Sequence, residues 1–165
     1  MKTLIALFLL ISLAGSSSAQ SINGWEFLFW NTDKDSVEKV IAENKRKLSA
    51  PNGLDANFKY QEMNTWLIYD TQNKLVKVHQ CETFSVIQNE EAEAFYKAVK
   101  SKLTKQYGKP DQYKKDKKDS LITMSWDLLY TKITFQYDYK YKVIDEFGAG
   151  SYRIDVVFEP VRKLF

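Results

Sequence analysis

The chain of 165 residues contains one cysteine, one histidine, three prolines and six glycines. The lone Cys81 can form no disulfide within the chain, so packing has to stabilise the fold even in an oxidising compartment. The lone His79 leaves no second imidazole for a zinc site. No serine lies in a nucleophile-elbow motif, and no glycine loop has the phosphate-binding spacing. The sequence therefore predicts no catalytic residues, no metal site and no cofactor.

The only long apolar run lies at the start of the chain and predicts export. Lys2 precedes an apolar stretch at 4–13, and Ser17-Ser18-Ala19 has the small side chains of a cleavage site. Because a transmembrane helix needs about 20 apolar residues, this run is too short to span a bilayer. Position 16 is serine, so the acylated cysteine of a lipoprotein signal is missing. We expect residues 1–19 to be a cleaved signal peptide and the product to be soluble in the periplasm or outside the cell.

The chain also has little excess of charge of either sign. The chain has 24 basic and 21 acidic residues, and removal of residues 1–19 takes away Lys2 and leaves a formal charge of +2. This balance argues against a nucleic-acid partner. Hydrophobic residues make up 44% and aromatic residues 15% of the chain, which is enough for a packed core. We therefore expect residues 20–165 to form a single domain.

The first half of the mature chain reads as one helix with short strands. An aromatic run at 25–30 predicts a strand, and apolar residues at helical spacing predict a helix over 34–48, with Thr32, Asp33 and Asp35 as possible N-caps. Extended segments are predicted at 57–62, 65–70 and 75–87.

The second half repeats this order. Asn89 is expected to cap a helix that ends at Gly108 and Pro110, the lysine-rich segment 114–119 is expected to be a solvated loop, and strands are predicted at 121–127, 129–143 and 152–158. The predicted fold class is α+β, with two helix-plus-antiparallel-meander halves, about 25–88 and 89–160.

This layout resembles the tandem helix-plus-antiparallel-sheet proteins of bacterial envelopes. The resemblance depends on the helix ending Gln-Tyr-Gly-Lys-Pro at 106–110, the following strand with Trp126, the tyrosine-rich strand after it, and the earlier helix and hairpin. It is similar to the beta-lactamase inhibitory protein and to the SmpA/OmlA family of outer-membrane assembly lipoproteins. The chain lacks the disulfides of the inhibitor and the acylated cysteine of the lipoproteins, so neither activity transfers to named residues.

Two sets of reactive side chains have simpler explanations than chemistry. His79 and Cys81 lie two apart on a predicted strand, so they share a face with Cα atoms about 6.5–7 Å apart, which is too far for a nucleophile and its base. Glu90, Glu91 and Glu93 suit the N-terminus of a helix, where carboxylates interact favourably with the helix dipole.

Aromatic residues are the most informative surplus. Apolar and polar residues alternate along 133–143, which is typical of a sheet with one face covered by helices. The simplest interpretation places the whole apolar face in the core. The alternative is that so long a strand extends beyond its covering helix and exposes aromatic side chains, which are efficient protein-binding anchors. The candidate binding residues are Tyr137, Tyr139, Tyr141, Trp126 and Trp66.

These observations favour an exported, non-enzymatic binding or interaction module that uses an aromatic sheet face or edge. Its predicted partner is an envelope protein, a peptide or a small apolar ligand. Two alternatives stay open at this point. One is an envelope hydrolase with a carboxylate-based site, which would need two acids, or His79 and an acid, in contact within a pocket. The other is a structural assembly subunit, which would form a stable homo-oligomer.

Overall fold

The computed structural model describes residues 24–26, 28–44, 57–60, 63–143 and 150–161; the side chains at 57–60, 86, 141–143, 150 and 151 lie outside this description. Within it the chain is α+β and mostly sheet, as the sequence predicts. Nine strands and two helices follow the chain as β1 Gly24–Trp25, β2 Leu28–Phe29, α1 Lys34–Glu43, β3 Asn57–Tyr60, β4 Met63–Tyr69, β5 Leu75–Phe84, α2 Asn89–Tyr107, β6 Gln112–Asp116, β7 Leu121–Asp127, β8 Thr131–Val143 and β9 Gly150–Pro160.

The aromatic run near the N-terminus is a tight two-stranded ribbon and not the single strand that the sequence predicts. β1 pairs antiparallel with β2, and Glu26 between them has a φ of 54°. The turn places Trp25 and Leu28 in the core. Trp30 follows the ribbon and donates from Nε1 to the hydroxyl of Thr131 at 2.9 Å, which ties the ribbon to the start of β8.

Helix α1 begins at one of the predicted caps. The Asp33 carboxylate accepts from the backbone N–H of Ser36 at 3.0 Å, which satisfies an amide that the first turn leaves without an intrahelical partner. The same backbone hydrogen bond is the largest cause that lowers the pKa of Asp33. Val37 is the residue of this helix that is fully buried. The predicted helix extends to 48, and residues 45–48 lie outside the described part of the chain.

Seven strands form one antiparallel sheet in the order β3-β4-β5-β9-β8-β7-β6. The strands that precede α2 and those that follow it meet where β5 pairs with β9, with Val78 opposite Phe158. Helix α2 packs against β5, β8 and β9. It therefore covers strands from both predicted halves, and a single core lies beneath it.

The two ends of helix α2 differ. Asn89, the predicted cap, is the first residue of the helix and not its cap, and the N-cap position, Gln88, makes no side-chain capping hydrogen bond. The capping box of Ser85 and Gln88 belongs to the short 3-10 turn before the helix. At its end, the N–H of Gly108 donates to the carbonyl of Thr104 at 2.9 Å, and Gly108 has a φ of +85°. This backbone conformation is rare for residues with a side chain, so Gly108 ends the helix as the sequence predicts.

The predicted solvated loop at 114–119 is wrong in its first part. Residues Gln112–Asp116 form β6, the edge strand beside β7, and a turn closed by the Asp116 carboxylate follows. Lys114 and Lys115 are exposed on this strand. Charged side chains on an edge strand oppose pairing with another chain, which reconciles the polar sequence with a strand.

Alternating residues define two faces of the sheet, which we call the helix face and the open face. On β8 the helix face carries Ile133, Phe135 and Tyr137, each at most 3% exposed, and on β9 it carries Ile154, Val156 and Phe158. The residues between them, such as Gln136 and Val157, lie on the open face and are half-buried. Among the described residues no helix has the length and hydropathy needed to cross a membrane.

Candidate functional site

The structure places Tyr137 and Trp126 in the core, in line with the simplest interpretation of the alternation, and corrects their choice as candidate binding residues. Both lie on the helix face, where Tyr137 is 3% and Trp126 1% exposed. Tyr96 of α2 stacks on Tyr137 with ring centroids 4.6 Å apart, and Trp126 donates from Nε1 to the carbonyl of Gly108 at 2.9 Å. Because Tyr96 of α2 covers Tyr137 and Trp126 is buried next to the end of that helix, neither side chain is available to a partner.

Tyr137 nevertheless has the feature that motivated the prediction. Its buried hydroxyl has no hydrogen-bond partner among the described residues. Burial, followed by the nearby Glu93, raises the pKa of Tyr137 to about 12. The phenol therefore stays neutral, and a neutral hydroxyl is easier to bury than a phenolate.

The other tyrosines lie toward the far end of β8. Tyr139 is half-buried, donates from its hydroxyl to the carbonyl of Asp116 at 3.2 Å, and has the ammonium of Lys115 5.0 Å from its ring centroid. The backbone of Tyr141 continues β8, and its side chain lies outside the described residues. Tyr139 thus joins β8 to the edge strand.

Trp66 lies on the open face, away from the other candidate aromatics. It is half-buried, and its ring centroid is 5.5 Å from that of His79 on the neighbouring strand. The structure therefore does not bring the five predicted binding residues together into one surface.

A cavity of about 220 Å³ lies between α2, the ribbon and the helix face of the sheet. Its wall is mainly apolar, because one side of α2 and three strands contribute large hydrophobic side chains: Trp25, Met63, Phe95, Val99, Leu103, Val156 and Phe158. Exposed residues form its mouth, namely Glu26 on the ribbon and Ala98, Lys102 and Gln106 along one line of α2. The cavity is thus open to the surface and apolar inside.

One polar side chain interrupts the apolar wall of the cavity. Gln80 is 6% exposed and donates from its amide to the hydroxyl of Thr65 at 3.2 Å. The hydroxyl of Thr65 in turn donates to the carbonyl of Met63. This chain of hydrogen bonds holds the Gln80 amide against the wall, where a single polar contact can orient a bound molecule.

On the open face, the Asp155 carboxylate accepts hydrogen bonds from side chains on two strands. Oδ1 lies 2.6 Å from Nε2 of His79, and Arg153 donates from Nε and Nη2 at 2.8 and 2.9 Å. Burial alone would raise the pKa of Asp155, but the hydrogen bonds from His79 and Arg153 outweigh it and hold this pKa below its usual value. Asp155 is therefore ionised at neutral pH, and the carboxylate accepts the proton that Nε2 of His79 donates.

Cys81 is next to this group but is not activated by it. It is 6% exposed and lies opposite Asp155 in the strand register. Burial and the neighbouring Asp155 raise the pKa of Cys81 to about 12. A thiol at neutral pH is a weak nucleophile and a weak metal ligand. Among the described residues no three His, Cys, Asp or Glu side chains are placed to hold a metal ion.

Sequence reasoning placed His79 and Cys81 on one face but missed Asp155, Arg153 and Gln80. Alternation along β9 puts Asp155 on the polar face, which the sequence shows. Its contact with His79 depends on the pairing of β5 with β9, two strands that are separated by 65 residues of chain. Gln80 follows the apolar Val78 on the helix face of β5, and that change from an apolar to a polar residue was the available signal.

Comparison with known proteins adds one similar structure. No protein-family model matches the sequence, and a search of curated proteins finds no match. The chain is similar to the crystal structure of a DUF4309 family protein, YjgB, from Bacillus subtilis. The two are 13% identical, the match covers 82% of this chain and 84% of that one, and the TM-score is 0.41.

Proposed function

We propose that this protein is an exported, non-enzymatic binding module that takes up a small apolar molecule in the cavity beneath α2. The observation that carries the proposal is the cavity itself, which combines an apolar wall, an exposed mouth and one buried amide. Natural cores are close-packed, so a space of this size that opens to the surface requires an explanation.

The size of the cavity limits the ligand. An apolar cavity of about 150 Å³ is large enough for benzene. The 220 Å³ beneath α2 therefore accommodates a substituted ring or a short alkyl chain of about ten heavy atoms. This selects the small apolar ligand from the partners that the sequence predicts, ahead of a partner protein or peptide.

The proposal also includes export of the protein and a structural relation between its two halves. The signal pattern in residues 1–19 supports export, and those residues lie outside the described part of the chain. The recurring order of one helix followed by antiparallel strands supports two related halves.

The contact between His79 and Asp155 is what the alternative envelope hydrolase requires. The acid and the base are in place, but a nucleophile is not. The Cys81 thiol is protonated, and among the described residues His79 bonds to Asp155 and to no serine or threonine hydroxyl. The hydrogen-bonded side chains of His79, Arg153 and Asp155 therefore support binding better than acyl transfer.

Toluene is a suitable probe for the cavity. We expect it to shift the NMR methyl signals of Met63, Val99 and Leu103 and to leave the methyl signals of Ile68 unchanged. Ala98→Trp places an indole at the mouth and should weaken toluene binding at least about tenfold. Ser101→Trp adds the same side chain at an exposed position of α2 that does not line the cavity, and serves as the control.

Three results would contradict the proposal. They are the absence of toluene-induced shifts at the cavity methyls, toluene binding by Ala98→Trp equal to that of the unmodified protein, and an equal loss of binding in Ser101→Trp. A native mass that shows a stable homo-oligomer without ligand would favour the assembly-subunit alternative.

A further inference from the structure

A second concavity, of about 560 Å³, lies on the open face, on the opposite side of the sheet from the cavity beneath α2. We call it the open-face depression. Side chains of β4, β5, β7, β8 and β9 surround it, so rigid strands hold every wall. Ile68, Leu121 and Val157 supply apolar surface, and Ile68 is 39% exposed. The other side chains that line it are polar or charged.

The charges around the open-face depression are already engaged with one another. Asp155 accepts from His79 and Arg153, as described above. Lys77 lies 3.7 Å from Glu159, and Asp138 also has a partner. An anion would have to compete with Asp155 for Arg153, and a cation would have to compete with Arg153 for Asp155. Either ion would lose much of the energy it gains, so the depression favours a neutral ligand.

Hydrogen-bonding capacity remains on three side chains that line the depression, those of His79, Gln136 and Lys77. Nε2 of His79 is occupied by Asp155, which leaves Nδ1 free to form a hydrogen bond with a ligand. The amide of Gln136, on the strand next to Asp155, makes no side-chain hydrogen bond to another described residue and offers both a donor and an acceptor. The Lys77 ammonium has three N–H groups and one carboxylate neighbour. Donors and acceptors are therefore both present in the depression.

A hydroxyl group suits this mixture, because it donates one hydrogen bond and can accept two. A sugar ring carries several hydroxyls around its edge and C–H groups on its faces. The hydroxyls can reach His79 and Gln136 while a ring face packs on Ile68 and Val157, next to Trp66. Ligands that are polar at the edge and apolar on the face match both kinds of wall.

We propose that the open-face depression is a binding site for a neutral saccharide, with His79 and Gln136 as the side chains that recognise its hydroxyls. This site is independent of the cavity beneath α2, because the sheet separates the two. Its failure and the failure of the proposed function can therefore be told apart in the same sample.

The test uses the full-length protein and three neutral probes, maltotriose, cellotriose and chitotriose. We expect at least one of them to shift the NMR signals of the Gln136 side-chain amide and the Trp66 indole, with saturation at about 1 mM. Gln136→Ala should weaken this binding about tenfold and leave the His79–Asp155 contact intact. Asn64→Ala changes an exposed open-face residue outside the depression and should alter binding less than about twofold.

The proposal is overturned if none of the three sugars shifts these signals at about 10 mM. It is also overturned if acetate or phosphate produces the same shifts at a lower concentration than the sugars, which would identify an anion site. Equal losses in Gln136→Ala and Asn64→Ala would show that the effect is not local. If toluene shifts its signals and the sugars do not, the saccharide site is wrong and the proposed function stands. If the sugars shift their signals and toluene does not, the proposed function is wrong and the saccharide site stands.

Discussion

Two tryptophans on opposite faces of the sheet show that the surroundings of a residue decide whether its side chain is buried. Trp126 lies on the helix face, is 1% exposed and donates a hydrogen bond to Gly108. Trp66 lies on the open face, is half-buried and contacts His79. The same side chain therefore fills the core in one case and lies on the surface in the other.

We expect Trp126→Ala to lower the free energy of unfolding by about 3–5 kcal/mol, because it leaves a large hole in a packed core. Trp66→Ala, the matched substitution on the open face, should cost about 1 kcal/mol. Urea titrations of both variants and the unmodified protein give the comparison. Similar losses in the two variants would contradict the burial described here.

The lowered pKa of Asp155 predicts that the stability of the fold depends on pH. Its pKa in the folded protein lies below the value of about 3.9 in an unfolded chain, so folding favours the ionised form. The stability that it contributes is therefore present above pH 4 or so and is lost as the pH falls through the folded pKa.

Asp155→Asn should lower the free energy of unfolding at pH 7 by about 1–3 kcal/mol, because it weakens the charge-assisted hydrogen bonds of His79 and Arg153. The difference from the unmodified protein should shrink as the pH falls to about 3. Urea titrations at the two pH values measure it. The exposed Asp119→Asn serves as the control, and a difference that is constant with pH would show that ionisation of Asp155 contributes nothing.

At the scale of the element, helix ends follow local chemistry. Gly108 has a φ of 85° and a ψ of −165°, a region that is essentially restricted to glycine. A Cβ added there would meet nothing within 4 Å, so a substitution is penalised by the backbone conformation alone.

We expect Gly108→Ala to lower the free energy of unfolding by about 1–3 kcal/mol. Lys109→Ala, at the next and exposed position, should change it by less than about 0.5 kcal/mol. Thermal or urea unfolding of the two variants tests this. Equal values would mean that the helix end relaxes to another conformation without cost.

Short elements were the ones that the sequence misplaced. The ribbon has two residues in each strand, too few for alternation to show, and its turn depends on the conformation of Glu26. Strand β6 is lysine-rich because it is an edge, so its composition resembles that of a loop. Longer elements such as α2 and β8 contain enough periods for their patterns to be unambiguous.

For the whole molecule, the pairing of β5 with β9 decides the architecture. It joins the strands on either side of α2 into one sheet, and α2 packs on strands from both. Among the described residues the two predicted halves share one core, which favours a single cooperative unit.

We therefore expect one unfolding transition. Urea curves followed by far-UV circular dichroism and by tryptophan fluorescence should have the same midpoint and the same slope. Two separated transitions, or midpoints that differ between the probes, would show that the halves unfold independently.

The sequence by itself determined the α+β class, most helix and strand positions, a cap of α1 among Thr32, Asp33 and Asp35, the stop at Gly108 and the polarity of each sheet face. These depend on periods of two and 3.6 residues and on local hydrogen bonds, which neighbouring residues specify. Only the tertiary structure decided that Trp126 and Tyr137 are core, that Asp155 meets His79, and that α2 leaves an apolar cavity beneath it. Each of these depends on strand register and helix placement between segments distant in the chain, and no local pattern encodes that.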